Sequence, residues 1–199
     1  MTLTTFSTIL SIGAVLIFNF SLLITFENKF SFIKNIIDFK IKIINKIFSL
    51  FGLYKREKTN GDTFYLLAIA AISGGSIIGA IIYEYVYMTA PCEMCWWGRI
   101  ALFPIFPIAL LALRYRVTNV NKIIMLLAGI GLLIGVYHYY YHFNIYVLDN
   151  VLSMPCDASS LLPACSDNNG ILIFGFITMP FMGILNFLSM ILIANKIRD

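Results

Sequence analysis

The four cysteines are the residues of this sequence best suited to chemistry. Cys92 and Cys95 form a Cys-x-x-Cys motif, and Cys156 and Cys165 follow with eight residues between them. Such pairs can exchange disulfides, form structural disulfides or contribute to a zinc or iron–sulfur site. A Cys-x-x-Cys bridge closes a very short loop and adds little chain-entropy stabilisation. A purely structural role is therefore weaker for Cys92/Cys95, whereas structural and redox roles stay nearly even for Cys156/Cys165.

Cys95 is the predicted reactive thiolate, because an apolar stretch restarts directly after it and places it in the first turn of a helix. Unpaired N–H groups and the helix dipole stabilise an anion there. Arg99 follows at i+4, one turn deeper on the same face. If this helix enters a membrane, the arginine needs a partner. A thiolate or a polar ligand headgroup would supply one, and the alternative is interfacial pairing with Glu84 or Glu93.

The composition indicates that these residues are positioned by membrane helices. Apolar residues make up 60% of the 199 positions, charged residues only 12%, and the mean hydropathy is +0.87. A soluble domain carries about 25% charged residues, so the composition excludes that class. Five stretches are long and apolar enough, or nearly so, to cross a bilayer. They are residues 3–26, 64–88, 96–113, 123–143 and 171–194, and Pro104 and Pro107 are expected to kink the third.

The basic residues predict the orientation of these spans. Thirteen of the 14 lysines and arginines fall on alternate loops or the C-terminal tail, and the exception is Arg99. Cytoplasmic loops accumulate such residues, so the N-terminus should lie outside and the C-terminus inside. All four cysteines then face the outer side, where disulfides persist. The net charge of +4 is too small and too scattered to suggest a nucleic-acid partner.

Residues 30–51 form a separate predicted element between the first two spans. Apolar side chains recur at three- and four-residue steps, with polar and basic ones opposite, which is typical of an amphipathic helix on the cytoplasmic membrane surface. A docking helix for a cytoplasmic partner is the alternative. The predicted fold is an all-α membrane protein. Residues 1–60 supply an additional transmembrane helix and the interfacial helix, and residues 61–199 supply a four-helix transmembrane bundle.

A metal cluster held by the four cysteines is not predicted. Sixty residues and two spans separate Cys95 from Cys156, and the site faces an oxidising compartment. Both features distinguish the pattern from compact zinc motifs. We therefore expect thiol–disulfide exchange rather than metal binding.

The segment from Pro91 to Cys95, with Arg99 four residues on, resembles the bacterial disulfide bond formation protein B (DsbB) family, including the related BdbC proteins of Gram-positive bacteria. The second cysteine pair between core helices three and four, and Pro180 in the last helix, agree with that family. The resemblance covers about residues 64–195. The order of the two cysteine pairs argues against the related vitamin K epoxide reductases.

The resemblance implies an enzyme, a protein-dithiol:quinone oxidoreductase of the bacterial inner membrane with its cysteines on the periplasmic side. It would reoxidise a DsbA-like thioredoxin-fold dithiol protein and pass the electrons to ubiquinone or menaquinone. Cys156 would form the mixed disulfide with the partner, and Cys165 would then exchange with Cys92. Cys95 would be left facing the quinone.

The resemblance also implies a quinone-binding set of Arg99, a histidine and an aromatic ring. His142 is favoured over His138 as the histidine, and Trp96 could stack on the ring. Interfacial anchoring explains the tyrosines beside the histidines and is the alternative role for the tryptophan. The alternative function is a non-enzymatic membrane scaffold or small transporter with structural disulfides.

Overall fold

The structure is a computed structural model that describes residues 2–25, 60–115, 118–149, 173 and 175–197. The predicted amphipathic helix at 30–51 and the loop cysteines Cys156 and Cys165 lie outside the described residues. Within the described part, the chain forms six helices. They are α1 (Leu3–Thr25), α2 (Asn60–Tyr85), α3 (Glu93–Leu102), α4 (Ile105–Arg114), α5 (Val120–Tyr146) and α6 (Met179–Ala194).

The prediction of an all-α membrane protein is confirmed. Four segments of the described chain are long and apolar enough to cross a membrane: α1, α2, α5, and α3 together with α4 as one span, Glu93–Arg114. The break between α3 and α4 falls at Pro104, as expected, because proline offers no N–H to the preceding turn. The third span is therefore a kinked helix with its cysteines at one end.

The last helix is shorter than the sequence predicts, and its expected start near residue 171 is wrong. Ile173 and Ile177 pair as an isolated bridge around a turn in which Gly175 adopts a φ of +78°. The helix begins at Met179, with Pro180 in its first turn, where the missing N–H costs no hydrogen bond. Its 16 residues give a length of about 24 Å, less than the hydrocarbon thickness of about 30 Å.

The bundle is held together at a close approach between α5 and α6, the most extensive helix pair. A Cβ atom added to Gly131 would lie 2.3 Å from the Phe187 ring, and one added to Gly135 would lie 3.2 Å from Ile184. Small residues four apart allow membrane helices to pack this closely. Glycine is therefore required at Gly131 for the observed packing.

The N-terminal helix is part of the bundle, because α1 packs against α6 and forms a hydrogen bond to the rest of the bundle at each end. At one end the Tyr83 hydroxyl donates a 2.5 Å hydrogen bond to Oγ of Ser7, and the ring of Phe6 lies 5.3 Å from that of Tyr83. At the other end Nζ of Lys196 donates to the Thr25 carbonyl over 2.9 Å. The extra helix is thus joined to the core by one buried and one partly buried hydrogen bond.

The two ends of the bundle differ in their charged residues. Cys92 at the start of α3 lies beside the C-terminal part of α5, whereas Arg114 ends α4 and Lys122 lies in the first turn of α5. Lys196 follows α6 at that second end. The basic residues Arg114, Lys122 and Lys196 therefore lie at the end of the bundle opposite Cys92 and Cys95, as the loop charges predict for these residues.

Candidate active site

The Cys-x-x-Cys motif forms the start of α3. Cys92 is the N-cap residue in an extended conformation, and its carbonyl accepts a 3.1 Å hydrogen bond from the amide of Trp96. Cys95 lies in the first turn, where the sequence predicts it. The first backbone N–H groups of α3 lack an intrahelical partner, and they lie at the helix end that carries both sulfurs. Negative charge is therefore favoured at this position.

The two sulfurs and one histidine form a contiguous polar group. Both cysteines are free thiols, and their Sγ atoms are hydrogen-bonded at 3.0 Å. Nε2 of His138, from α5, lies 3.8 Å from Sγ of Cys92. Cys92 is 7% exposed and His138 is 5% exposed, whereas Cys95 is half-buried. The pair is therefore open to other molecules mainly through Cys95.

The structure favours Cys92 as the thiolate of the reduced pair. Its hydrogen bond with Cys95 lowers the pKa of Cys92 to about 4, and the interaction with His138 adds to this effect against the opposing cost of burial. The sequence instead predicts Cys95 as the reactive thiolate, from its place at the helix start and from Arg99 one turn deeper on the same face. The helix start contributes to both positions, but His138 contacts the first cysteine.

Apolar side chains fix the pair against α5. Met94, Tyr141 and Ile145 pack around the two cysteines. Tyr141 and Ile145 follow His138 at spacings of three and seven residues, which places all three on one face of α5. This stripe explains how the helix presents a histidine to a cysteine 46 positions earlier in the chain.

Arg99 forms an ion pair with Glu84 at the end of α2. Its second terminal nitrogen donates to the Ala80 carbonyl at 3.4 Å. The pairing is the alternative that the sequence left open, with Glu84 rather than Glu93 as the partner. Only 13% of the Arg99 side chain and 23% of the Glu84 side chain are exposed. An intramembrane arginine without such a partner would be costly.

Trp96 lies directly against this ion pair. The guanidinium carbon of Arg99 is 5.2 Å from the centre of the Trp96 ring, within the range of a cation–π interaction, and the ring is partly exposed. A guanidinium carries five N–H donors, more than the two that Glu84 and Ala80 use. An aromatic face beside such donors suits a flat ligand that carries carbonyl oxygens.

His142 lies one turn beyond His138 on α5 and is also buried. The two imidazole rings meet edge to face at 4.7 Å, and His142 lies 5.3 Å from the ring of Tyr146. The structure therefore brings His138 to the cysteine pair, whereas the preference for His142 concerns the quinone and stays a prediction. The sequence offers one signal for this, the stripe that His138 shares with Tyr141, but it cannot set the rotation of α5 relative to α3.

Comparison with known proteins gives a consistent result. Residues 62–196 match the family described as disulfide bond formation protein DsbB. The chain is 32% identical to the "Probable disulfide formation protein" of Oceanobacillus iheyensis over 57% of its own length and 74% of that protein.

Two Bacillus proteins are also similar. One is "Disulfide bond formation protein C" of Bacillus subtilis, at 27% identity over 64% of this chain and 88% of the relative. The other is "Probable disulfide formation protein C 2" of Bacillus anthracis, at 28% identity over 67% and 92% respectively. No solved structure matches the chain significantly.

Proposed function

The chain belongs to the disulfide bond formation protein DsbB family, and from this premise we propose that it is a membrane thiol oxidase that passes electrons from a protein dithiol to a quinone. A role in disulfide bond formation, as a multi-pass membrane oxidoreductase acting with a thiol–disulfide oxidoreductase, follows from the family and the apolar helices. We further propose a quinone as the electron acceptor, a DsbA-like partner as the donor, and a location in the bacterial inner membrane with the site on its periplasmic side. Residues 61–199 would form the catalytic unit, with 1–60 as an added anchor.

The observation that carries the proposal is the contact of Cys92 with both Cys95 and His138. A disulfide becomes more oxidising when its reduced form is stabilised. The hydrogen bond with Cys95 and the contact with His138 stabilise the Cys92 thiolate, which exists only in the reduced form. The Cys92–Cys95 disulfide is therefore suited to accept electrons from other thiols.

Electrons would reach this pair through the loop cysteines. A thiolate of the partner attacks Cys156 of the Cys156–Cys165 disulfide, forming a mixed disulfide and releasing Cys165 as a thiolate. The partner's second thiol then attacks the mixed disulfide, so that the partner leaves oxidised and Cys156 is freed. Each step exchanges one sulfur–sulfur bond for another, and no electrons leave the two proteins.

The two internal pairs would then exchange. The Cys165 thiolate attacks Cys92, breaking the Cys92–Cys95 bond, and Cys156 next attacks Cys165 and restores the loop disulfide. Cys92 is the leaving group of this second step. A thiol of low pKa leaves faster, and the pKa of Cys92 is lowered to about 4 by Cys95 and, further, by His138. We assign His138 this role of stabilising the leaving thiolate.

Arg99 and Trp96 are the residues of this chain that would hold a quinone. Free guanidinium N–H groups would donate to its carbonyl oxygens, and the exposed indole would pack on its ring. When bound, a quinone accepts the two electrons and two protons that the Cys92/Cys95 dithiol gives up on forming its disulfide. Glu84 on α2 keeps the Arg99 guanidinium in position on α3, the helix that begins with the cysteine pair. Either histidine could face the quinone.

Extraction of the purified full chain tests this proposal. We expect solvent extraction and mass analysis to find ubiquinone or menaquinone. We also expect mild reductant to open the Cys92–Cys95 bridge readily, so that a thiol reagent added afterwards labels both cysteines. A scaffold with structural disulfides would carry no quinone and resist the reductant. That pair of results, together with an absence of quinone-dependent thiol oxidation, would overturn the proposal.

A further inference from the structure

Three potential metal-ligand atoms meet at the start of α3. Sγ of Cys92, Sγ of Cys95 and Nε2 of His138 all lie within 4.8 Å of one another. The two sulfurs are 3.0 Å apart, and the imidazole nitrogen is 3.8 Å from Cys92. Thiolates and imidazole together are the donor set that zinc and other thiophilic cations prefer.

The spacing of these atoms is close to that of a tetrahedral site. Zinc–sulfur bonds of about 2.3 Å and zinc–nitrogen bonds of about 2.05 Å imply ligand separations of about 3.8 Å between sulfurs and about 3.6 Å between sulfur and nitrogen. The 3.8 Å between Nε2 of His138 and Sγ of Cys92 is already close to the sulfur–nitrogen separation. The sulfurs need to separate by about 0.8 Å, which a small rotation of the Cys95 side chain provides because this residue is only half-buried.

The surroundings also favour a cation at this point. The positive charge of Arg99 is balanced by its ion pair with Glu84. Met94, Tyr141 and Ile145 pack around the cysteines and hold the ligand-bearing helices together. Two ligands come from one turn of α3 and the third from α5, so the site is largely formed before the metal arrives.

We propose that the reduced Cys92/Cys95 pair and His138 bind one thiophilic divalent cation, such as Zn²⁺, in a Cys2His site with its fourth position open. The cation displaces one proton for each thiol that is still protonated, and no electrons are transferred. The disulfide form lacks thiolates and does not bind. Because the same sulfurs must form a disulfide during turnover, the bound metal holds the protein reduced and inhibits it. The inhibition rests on the proposed thiol oxidase activity, whereas the metal binding rests on ligand geometry alone and does not depend on a quinone.

Cobalt provides the test, because thiolate ligands give Co²⁺ a charge-transfer absorption. The probe is Co²⁺ alone, added to the reduced full chain in detergent with Cys156 and Cys165 both replaced by serine, and Zn²⁺ is then added in competition. We expect one cobalt ion per chain with a thiolate band, its displacement by Zn²⁺, and no band with the oxidised protein. The oxidised sample is a control that needs no further substitution.

His138→Ala identifies the third ligand, and Val136→Ala, at an exposed position of the same helix, is its control. Loss of outer-shell partners of metal ligands weakens binding about 10–100-fold, so loss of a direct ligand should weaken it at least about 100-fold. The Val136→Ala variant should bind as the parent does. Unfolding curves of both variants establish that they are folded, and His138→Gln serves if the alanine variant is not.

An absent cobalt–thiolate band in the reduced protein would overturn the proposal, and so would unchanged affinity in folded His138→Ala or His138→Gln. These measurements contain neither quinone nor partner protein. Failure here would therefore leave the thiol oxidase proposal intact, and a quinone-free protein would leave the metal result intact.

Discussion

Replacement of Arg99 and Glu84, singly and together, measures what the ion pair contributes. Arg99→Gln leaves the carboxylate of Glu84 without its partner, and Glu84→Gln leaves the guanidinium unpaired. Breaking a fully buried pair in this way costs about 3–5 kcal/mol. The side chains here are 13% and 23% exposed, so we expect a smaller loss than for a fully buried pair, about 2–3 kcal/mol for each single variant.

The double variant should be more stable than either single one. Two glutamines leave no uncompensated charge, and a neutral pair can replace a buried ion pair at little cost. We expect a loss of about 1 kcal/mol, and thus a coupling energy of about 3–5 kcal/mol between the two positions. Glu93→Gln is the control, because it removes an acid near the same end of α3 that does not form this ion pair.

The assay is reversible unfolding of the full chain in mixed detergent micelles, followed by helical circular dichroism. A loss of about 2–3 kcal/mol raises the unfolding equilibrium constant about 30- to 150-fold. Additive effects of the two single substitutions, or a Glu93→Gln variant as unstable as Glu84→Gln, would refute the pairing.

Two further predictions concern the packing and the thiolate. Gly131→Ala should destabilise the protein by about 1–3 kcal/mol through its clash with Phe187, whereas Gly129→Ala, with open space around it, should not; equal effects in unfolding assays would contradict the packing. Ultraviolet thiolate absorbance, in a reduced variant without the loop cysteines, should persist as the pH falls from 7 and disappear only near pH 4, because Cys92 stays ionised above its lowered pKa. His138→Asn should move that midpoint to higher pH, and an ordinary thiol midpoint near pH 9 in the parent would contradict the site geometry.

Helix composition predicts much of this fold because apolar runs and proline act locally. The four long spans and the break at Pro104 follow from hydropathy and from the N–H that proline lacks. The late start of α6 does not follow, because the apolar sequence continues through the turn at Gly175 and hydropathy carries no information on φ. A run of suitable residues thus predicts a span without fixing where its helix begins.

The site divides in the same way. Spacing alone places Cys95 in the first turn of its helix and Arg99 one turn deeper. The partner of Arg99 could not be chosen from sequence, since Glu84 and Glu93 both flank it and the choice depends on how α2 packs. His138 reaches Cys92 only because of the rotation of α5 about its axis. Contacts between helices set these choices, and no local pattern reports them.

Quinone reduction by a protein dithiol is the most direct test of the central claim. The full chain is mixed anaerobically with a reduced thioredoxin-fold dithiol protein and with ubiquinone or menaquinone, and quinol and protein disulfide are both quantified. We predict one quinol for each disulfide formed by the parent protein and none above background for Cys95→Ser, since that variant cannot form the Cys92–Cys95 disulfide. Turnover of Cys95→Ser at the parent rate, or dithiol oxidation by the parent without quinol formation, would contradict the account.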